Sequence, residues 1–278
     1  KSEDYGVPQT RHRIIIVGLK TNIENKPEPL SKRDKVSISE IISDLPQIRC
    51  GDSQSKPKNG SEHDWNSLFE ELINDLKVDE QNFSNLITRI PKSNNAIPYS
   101  LGHKKLRRKN ATIKYENWYR AGLQNTVTFH QSRNHMRSDV KRYIFCALFG
   151  KENKTSPKLP DFPVRLLPNH KNVKADGTSK AFIDRFKVQL ADSPSSTITS
   201  HIAKDGHYYI HYDLQQGRSL SVREAARIQT FPDDYFFFGG KTAQYHQVGN
   251  AVPPLLAYQI AEKVANALEE HAELKYLE

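Results

Sequence analysis

The chain has little cysteine, little methionine and no long apolar run. Its 278 residues include two cysteines, one methionine and two tryptophans. Two thiols, Cys50 and Cys146, cannot build a disulfide framework or a cysteine-based zinc site. Cys50 lies in IRCGD, which reads as loop, and Cys146 in RYIFCALFG, which reads as a buried helix. The eleven histidines show no zinc-ligand spacing. His207 and His211 are four apart, but in a strand-like segment, so no metal site is expected. No stretch reaches the roughly 20 apolar residues that cross a bilayer. The first residues, Lys1-Ser2-Glu3-Asp4, form no signal-peptide core. A cytoplasmic location with no membrane partner is therefore expected.

What the chain does carry is positive charge. Its formal charge is +9 and its sequence pI about 9.3, a balance that suits an anionic partner, nucleic acid before a membrane surface. A mean hydropathy of −0.71 describes a polar chain with generous loops. The length allows roughly two domains, each with its own core.

Residues 13–19, RIIIVGL, form a β-branched apolar run that predicts a buried strand. Residues 21–60 read as loop around a short helix near SISEIISDL. In SEHDWNSLFEELINDLKV, helical spacing aligns Trp65, Leu68, Phe69, Leu72 and Leu76 on one face. Ser138 or Asp139 is the expected cap of a helix ending at Gly150. The alternation of Ile198, Ile202, Tyr208, Ile210 and Tyr212 about Asp205-Gly206 predicts a hairpin. SVRE at 221–224 has the capping-box form and opens a helix that Pro232 should stop near Phe231. GNAVPP reads as a turn. The helix after it aligns Leu256, Ile260, Val264 and Leu268.

Residues 4–18, DYGVPQTRHRIIIVG, place Arg11 and Arg13 on the same side of an extended segment, because side chains alternate with a period of two. With RSLSVREAARIQTFPDDY at 218–235 and QVGNAVPPLLA at 247–257, this stretch resembles, in order, the eighth, ninth and tenth motifs of the DNA cytosine-5 methyltransferases. Gln9, Arg11 and Arg13 meet Gln-x-Arg-x-Arg. Arg223 through Asp233 meet Arg-Glu-x-Ala-Arg-x-Gln-x-Phe-Pro-Asp, and Gln247 through Pro254 meet Gln-x-Gly-Asn-x-Val-Pro-Pro.

The resemblance implies transfer of a methyl group from S-adenosylmethionine to carbon 5 of a flipped cytosine, in a specific sequence of double-stranded DNA within a restriction-modification system. A flipped base and its flanking phosphates need fixed donors, and arginine forks supply them. Arg13 would reach the flipped base or its acidic partner, and Arg11 a phosphate. Asn250 and Ala251 would border the S-adenosylmethionine pocket, which this chain supplies only in part. Gln9, Arg223, Glu224, Gln247 and Gly249 would organise the motifs structurally.

The implied fold is α/β. Residues 1–60 and 216–278 would form the C-terminal part of a Rossmann-like, S-adenosylmethionine-dependent methyltransferase domain. Residues 61–91 read as a helical insertion, and 92–215 as a small mixed target recognition domain. There Lys104, Lys105, Arg107 and Arg108 would neutralise phosphates, while Arg133 and Arg137 would read base edges.

The chain departs from the family pattern in one large respect. It contains no Pro-Cys-Gln nucleophile, no Glu-Asn-Val acid segment and no glycine-containing cofactor loop. The expected partner is thus an N-terminal catalytic half carrying the nucleophilic cysteine, in the same longer chain or a separate subunit. Alone, the chain should be inactive. A rival reading is a non-catalytic DNA-binding specificity module. A nuclease is disfavoured, since no carboxylate–carboxylate–lysine cluster stands out.

Overall fold

Apolar periodicity and capping together explain where the main helices form. The computed structural model describes residues 1–20, 23, 26–53, 63–100, 106–120, 126–169, 173 and 183–277, with side chains described to Glu269. Helix α2 (Trp65–Lys77) starts where the Asp64 carboxylate accepts from the Asn66 and Ser67 amides, an N-cap of the usual kind. It buries the five residues its periodicity aligns. Helix α3 (Glu80–Arg89) follows, and both pack on α5 (Arg137–Asn153) in a first hydrophobic cluster that includes Phe145, Phe162 and Phe186.

Helix α5 departs from its expected limits. Met136 occupies the cap position, and the helix runs through Gly150 to Asn153. A Cβ at Gly150 would stand 2.8 Å from Val188 Cγ1, so this glycine admits a neighbouring segment instead of ending the helix.

A second cluster joins α1 (Ser39–Ile42), α4 (Glu116–Arg120), α6 (Val222–Ile228), α7 (Lys241–Asn250) and a 3-10 turn at Ser200–Ala203. Helix α6 has the predicted capping box: Ser221 Oγ accepts from the Glu224 amide, and the Glu224 carboxylate accepts from the Ser221 amide. It ends at Ile228, before Phe231, because Thr230 turns into the left-handed region with φ 65°. Helix α7 takes in the first two residues of GNAVPP, the expected turn follows at 251–253, and α8 (Pro254–Leu277) comes next.

Strands are few and short. Strand β1 (Gln9–Thr10) runs parallel to β4 (Ser195–Ser196), and β2 (Leu106–Arg107) pairs antiparallel with β3 (Thr126–Val127). Two strand expectations are corrected. Residues 13–19 form no strand; Ile14 is 91% and Ile16 89% exposed. An apolar run becomes a strand only where a neighbour completes its ladder, and the described residues provide none here.

The hairpin about Asp205-Gly206 does not form either. Gly206 does turn, with φ 81°, but Ile202 reaches the core from the 3-10 turn and Ile198 from the segment just before it. The Arg133 guanidinium donates to the carbonyls of Ile202, Ala203 and Lys204 at that turn's end, so helical carbonyls are satisfied in place of a strand ladder. Among the described residues no helix is long and apolar enough to cross a membrane.

Candidate functional site

Two glutamine side chains join the three motif stretches. The Gln9 amide oxygen accepts from Ile198 N at 3.0 Å, and its nitrogen donates to the Gln229 amide oxygen and to Ile228 O. Gln229 in turn donates to Val248 O at 2.7 Å and Ala251 O at 3.4 Å. Both glutamines are fully buried. A buried primary amide must be satisfied at donor and acceptor ends, so this relay fixes the register of segments about 220 residues apart. Gln229 was visible in the 218–235 motif, yet nothing local in the sequence marked it as the joint.

Just beyond the relay, Arg11 and Arg13 line one cavity of about 1000 Å³. Arg11 is held by its bond to Ile198 O at 3.1 Å, and its backbone amide donates to Ser2 Oγ. Burial, and then the charge of Arg13, pull the Arg11 guanidinium below its ordinary value. Arg13 is exposed, and its only described bond is to His12 O, its neighbour. The opposite wall is built from Val252, Pro253, Leu256 and Ile260. Asn250 and Ala251 immediately precede that wall; Asn250 is exposed at the end of α7, and Ala251 is tied to Gln229.

The 218–235 segment is occupied by internal ion pairs. Arg218 grips Glu224 through two bonds of 2.7 Å, with both side chains buried. Burial alone would raise the Glu224 carboxyl, but Arg218 and His211 hold it well below the usual range. Arg223 donates to Thr128 O, Pro232 O and Tyr235 O. Arg227, not singled out from the sequence, bridges Asp44 and Asp233. Burial would likewise raise Asp233, and Arg227 keeps it low.

In α7, the Gln247 side chain donates to Phe238 O at 2.8 Å and accepts from Phe238 N at 3.4 Å. Gly249 allows the closest approach in the chain's second core. A Cβ there would lie 2.4 Å from Ser200 N and from Thr199 C.

The residues expected to face DNA are mostly engaged elsewhere. Arg108 pairs with Asp233 at 2.8 Å and is almost wholly buried. Arg133 lies over the Tyr245 ring at 4.1 Å while holding the 3-10 turn. Arg137 pairs with Glu71 and Ser67 of α2. Each has an ion-pair or hydrogen-bond partner within the chain, although Arg108 Nε is buried without one, so none of the three is presented as a free cation. Arg107 is exposed, and Lys104 and Lys105 lie outside the described residues.

Neither cysteine is placed for nucleophilic chemistry. Both are buried; burial pushes the Cys50 thiol up to about 12 and the Cys146 thiol well above its ordinary value, which suppresses the thiolate.

A buried scaffold of paired arginines thus carries two cavity-facing arginines on a segment leading away from it. Comparison with known proteins gives the family. The model of the C-5 cytosine-specific DNA methylase family matches residues 1–266, and the chain belongs to that family. The type II methyltransferase M.Bpa9945I of Bacillus paralicheniformis is 36% identical over 274 residues, covering 96% of this chain and 50% of that protein. M.DdeI of Desulfomicrobium norvegicum is 27% identical over 279 residues, 94% of this chain and 52% of its own length. The fold matches a solved E. coli chain, a prophage-encoded protein assigned as a DNA modification methyltransferase. That match has a TM-score of 0.51 and 18% identity, over 97% of this chain and 59% of the other. The chain thus spans about half the length of these curated relatives.

Proposed function

We propose that this chain is the part of a type II DNA cytosine-5 methyltransferase that receives the flipped cytosine and grips its flanking backbone. In this reading the nucleophilic cysteine and the acid come from a segment outside the 278 residues. The observation that carries it is the glutamine relay, because it brings Arg11, Arg13 and the Val252–Pro253 wall to one cavity.

The arrangement suits the chemistry. Attack at carbon 6 of cytosine builds charge on the ring, which a fixed guanidinium stabilises. Arg13, exposed and bound only to its neighbour's carbonyl, is free to reach the base. Arg11, tethered through Ile198 O, is better placed to hold a phosphate.

S-adenosylmethionine would supply the methyl group when bound. The apolar wall of Val252, Pro253 and Leu256 fits one side of such a molecule. Among the described residues Glu28 is the only carboxylate on the cavity, and it is taken by Lys263 at 2.7 Å. Acceptors for the ribose hydroxyls and a partner for the sulfonium would therefore come from the same outside segment. That segment would also cover Ile14 to Val17, whose exposure is otherwise unfavourable. The domain limits remain those proposed from the sequence, with 92–215 as the target recognition domain.

The test is methyl transfer from labelled S-adenosylmethionine to mixed-sequence duplex DNA. This chain is mixed with a family N-terminal segment containing Pro-Cys-Gln. Labelled 5-methylcytosine is expected from the mixture and from neither part alone. In the mixture, Arg13→Ala should lower turnover by roughly 10²-fold or more, with an unchanged unfolding midpoint because the side chain supports no other segment. Turnover by the chain alone would refute the split chemistry. DNA binding without any methylation would instead favour the specificity module.

A further inference from the structure

Successive side chains point to opposite sides of an extended segment, and the chain exploits this at residues 10 and 11. Arg11 faces the large cavity, whereas Thr10 lines two grooves on the other side. One groove, of about 810 Å³, has Arg185, Lys187, His201 and Lys204 on its walls. The second, of about 410 Å³, shares Thr10, Lys187 and Ser196 with the first and adds Lys158. The two adjoin along these shared residues, a basic channel in two parts.

The channel is rigidly built. Lys187 N donates to His207 O, Ile210 N to Lys187 O, and Gln189 N to Ile210 O, so its two walls are cross-linked by backbone. Its floor is tied together where Thr197 Oγ1 donates to Thr10 O and Thr10 Oγ1 to Ser195 O.

Two carboxylates, Asp184 and Asp205, share the lining with Lys158, Arg185, Lys187 and Lys204, so the basic groups outnumber the acidic ones. Asp184 accepts from the Tyr208 hydroxyl, and Asp205 caps its own turn by accepting from His207 N. Among the described residues no ion pair engages Lys158, Arg185, Lys187 or Lys204. This contrasts with Arg108, Arg133, Arg137 and Lys154, each of which has a partner in the chain. Cations that lack direct ion-pair partners and outnumber the carboxylates around them repel one another, and an occupant with regularly spaced negative charge relieves that repulsion.

We propose that this channel is the track of the DNA backbone, with Lys158, Arg185, Lys187 and Lys204 neutralising successive phosphates. The track runs to Thr10, where the strand would cross to Arg11 and the cavity. It rests on the methyltransferase reading and supplies the phosphate contacts that Arg108 is too buried to make.

Salt dependence of duplex binding by the full chain tests the track. The logarithm of affinity falls with log salt by about 0.9 per phosphate neutralised. The triple variant Arg185→Gln, Lys187→Gln, Lys204→Gln should therefore lose roughly 0.9 of slope for each contact removed. Lys77→Gln with Lys92→Gln, on exposed positions away from the channel, should leave the slope unchanged. Should the triple variant unfold early, Lys204→Gln alone, at an exposed site, must still lower the slope by about 0.9. Tight DNA binding with an unaltered slope in these variants overturns the track and leaves the methyltransferase reading standing. A wild-type chain that binds no DNA overturns both.

Discussion

Glu224 illustrates how much one side chain can organise. Its carboxylate closes the cap of α6 and receives both forks of Arg218, with His211 Nε2 at 3.4 Å. Replacing one member of a buried pair strands the other charge without solvent, which costs about 3–5 kcal/mol. Glu224→Gln should therefore lower the unfolding free energy by about that amount in urea titration, with little change in the denaturant slope. A loss below about 1 kcal/mol would mean that Arg218 finds another acceptor. The cap itself was legible, since Ser-x-x-Glu is a local signal. The partners of Arg108 and Arg137 were not. Asp233 lies 125 positions from Arg108, and Glu71 lies 66 from Arg137. A basic residue looks the same in sequence whether it faces a phosphate or a distant carboxylate.

Elements with a helical period were read most reliably. Helix α2 buries its predicted face because the period and the Asp64 cap are both local properties. The strand at 13–19 and the hairpin at 195–212 failed because a strand is defined by its neighbour, which local alternation cannot name. The turn expected at GNAVPP begins only at Ala251, because Gly249 and Asn250 close α7 instead of breaking the chain. The structure gives that glycine another purpose, the contact between α7 and the Ser200–Ala203 turn. Gly249→Ala would force a methyl against backbone that cannot rotate away. It should destabilise the fold by about 1–3 kcal/mol or more, read as a lower thermal midpoint. Equal stability would show that the turn can withdraw without loss.

The whole molecule should be most sensitive to pH through its buried histidines. Burial pulls His130 down to about 4 and His135 to about 3, from an ordinary 6.5. Both are bonded as neutral rings: His130 lies between Ser221 Oγ and Pro46 O, and His135 Nε2 accepts from Ser219 N. Between pH 6.5 and those lowered values, the unfolded chain binds protons that the folded chain refuses. Stability should thus fall as pH drops below about 6.5, by up to about 1.4 kcal/mol per pH unit for each histidine. Glu224, held low, adds a further loss only below about 4.5. Urea midpoints should hold between pH 7.5 and about 6.5 and decline from there to pH 5; no decline below 6.5 would mean that these rings are already open to water.

The glutamine relay also sets an order of events in time. Gln9 cannot meet its partner until residue 229 has been made, 220 positions later. At ribosomal speeds of about 5–20 residues per second, that interval is roughly 10–40 s. For most of it β1 lacks β4, and the Ile14–Val17 run hangs from an unanchored segment. The newborn chain thus carries its stickiest stretch longest, and a chaperone that shields it would raise the yield of folded protein more than any change to the cores.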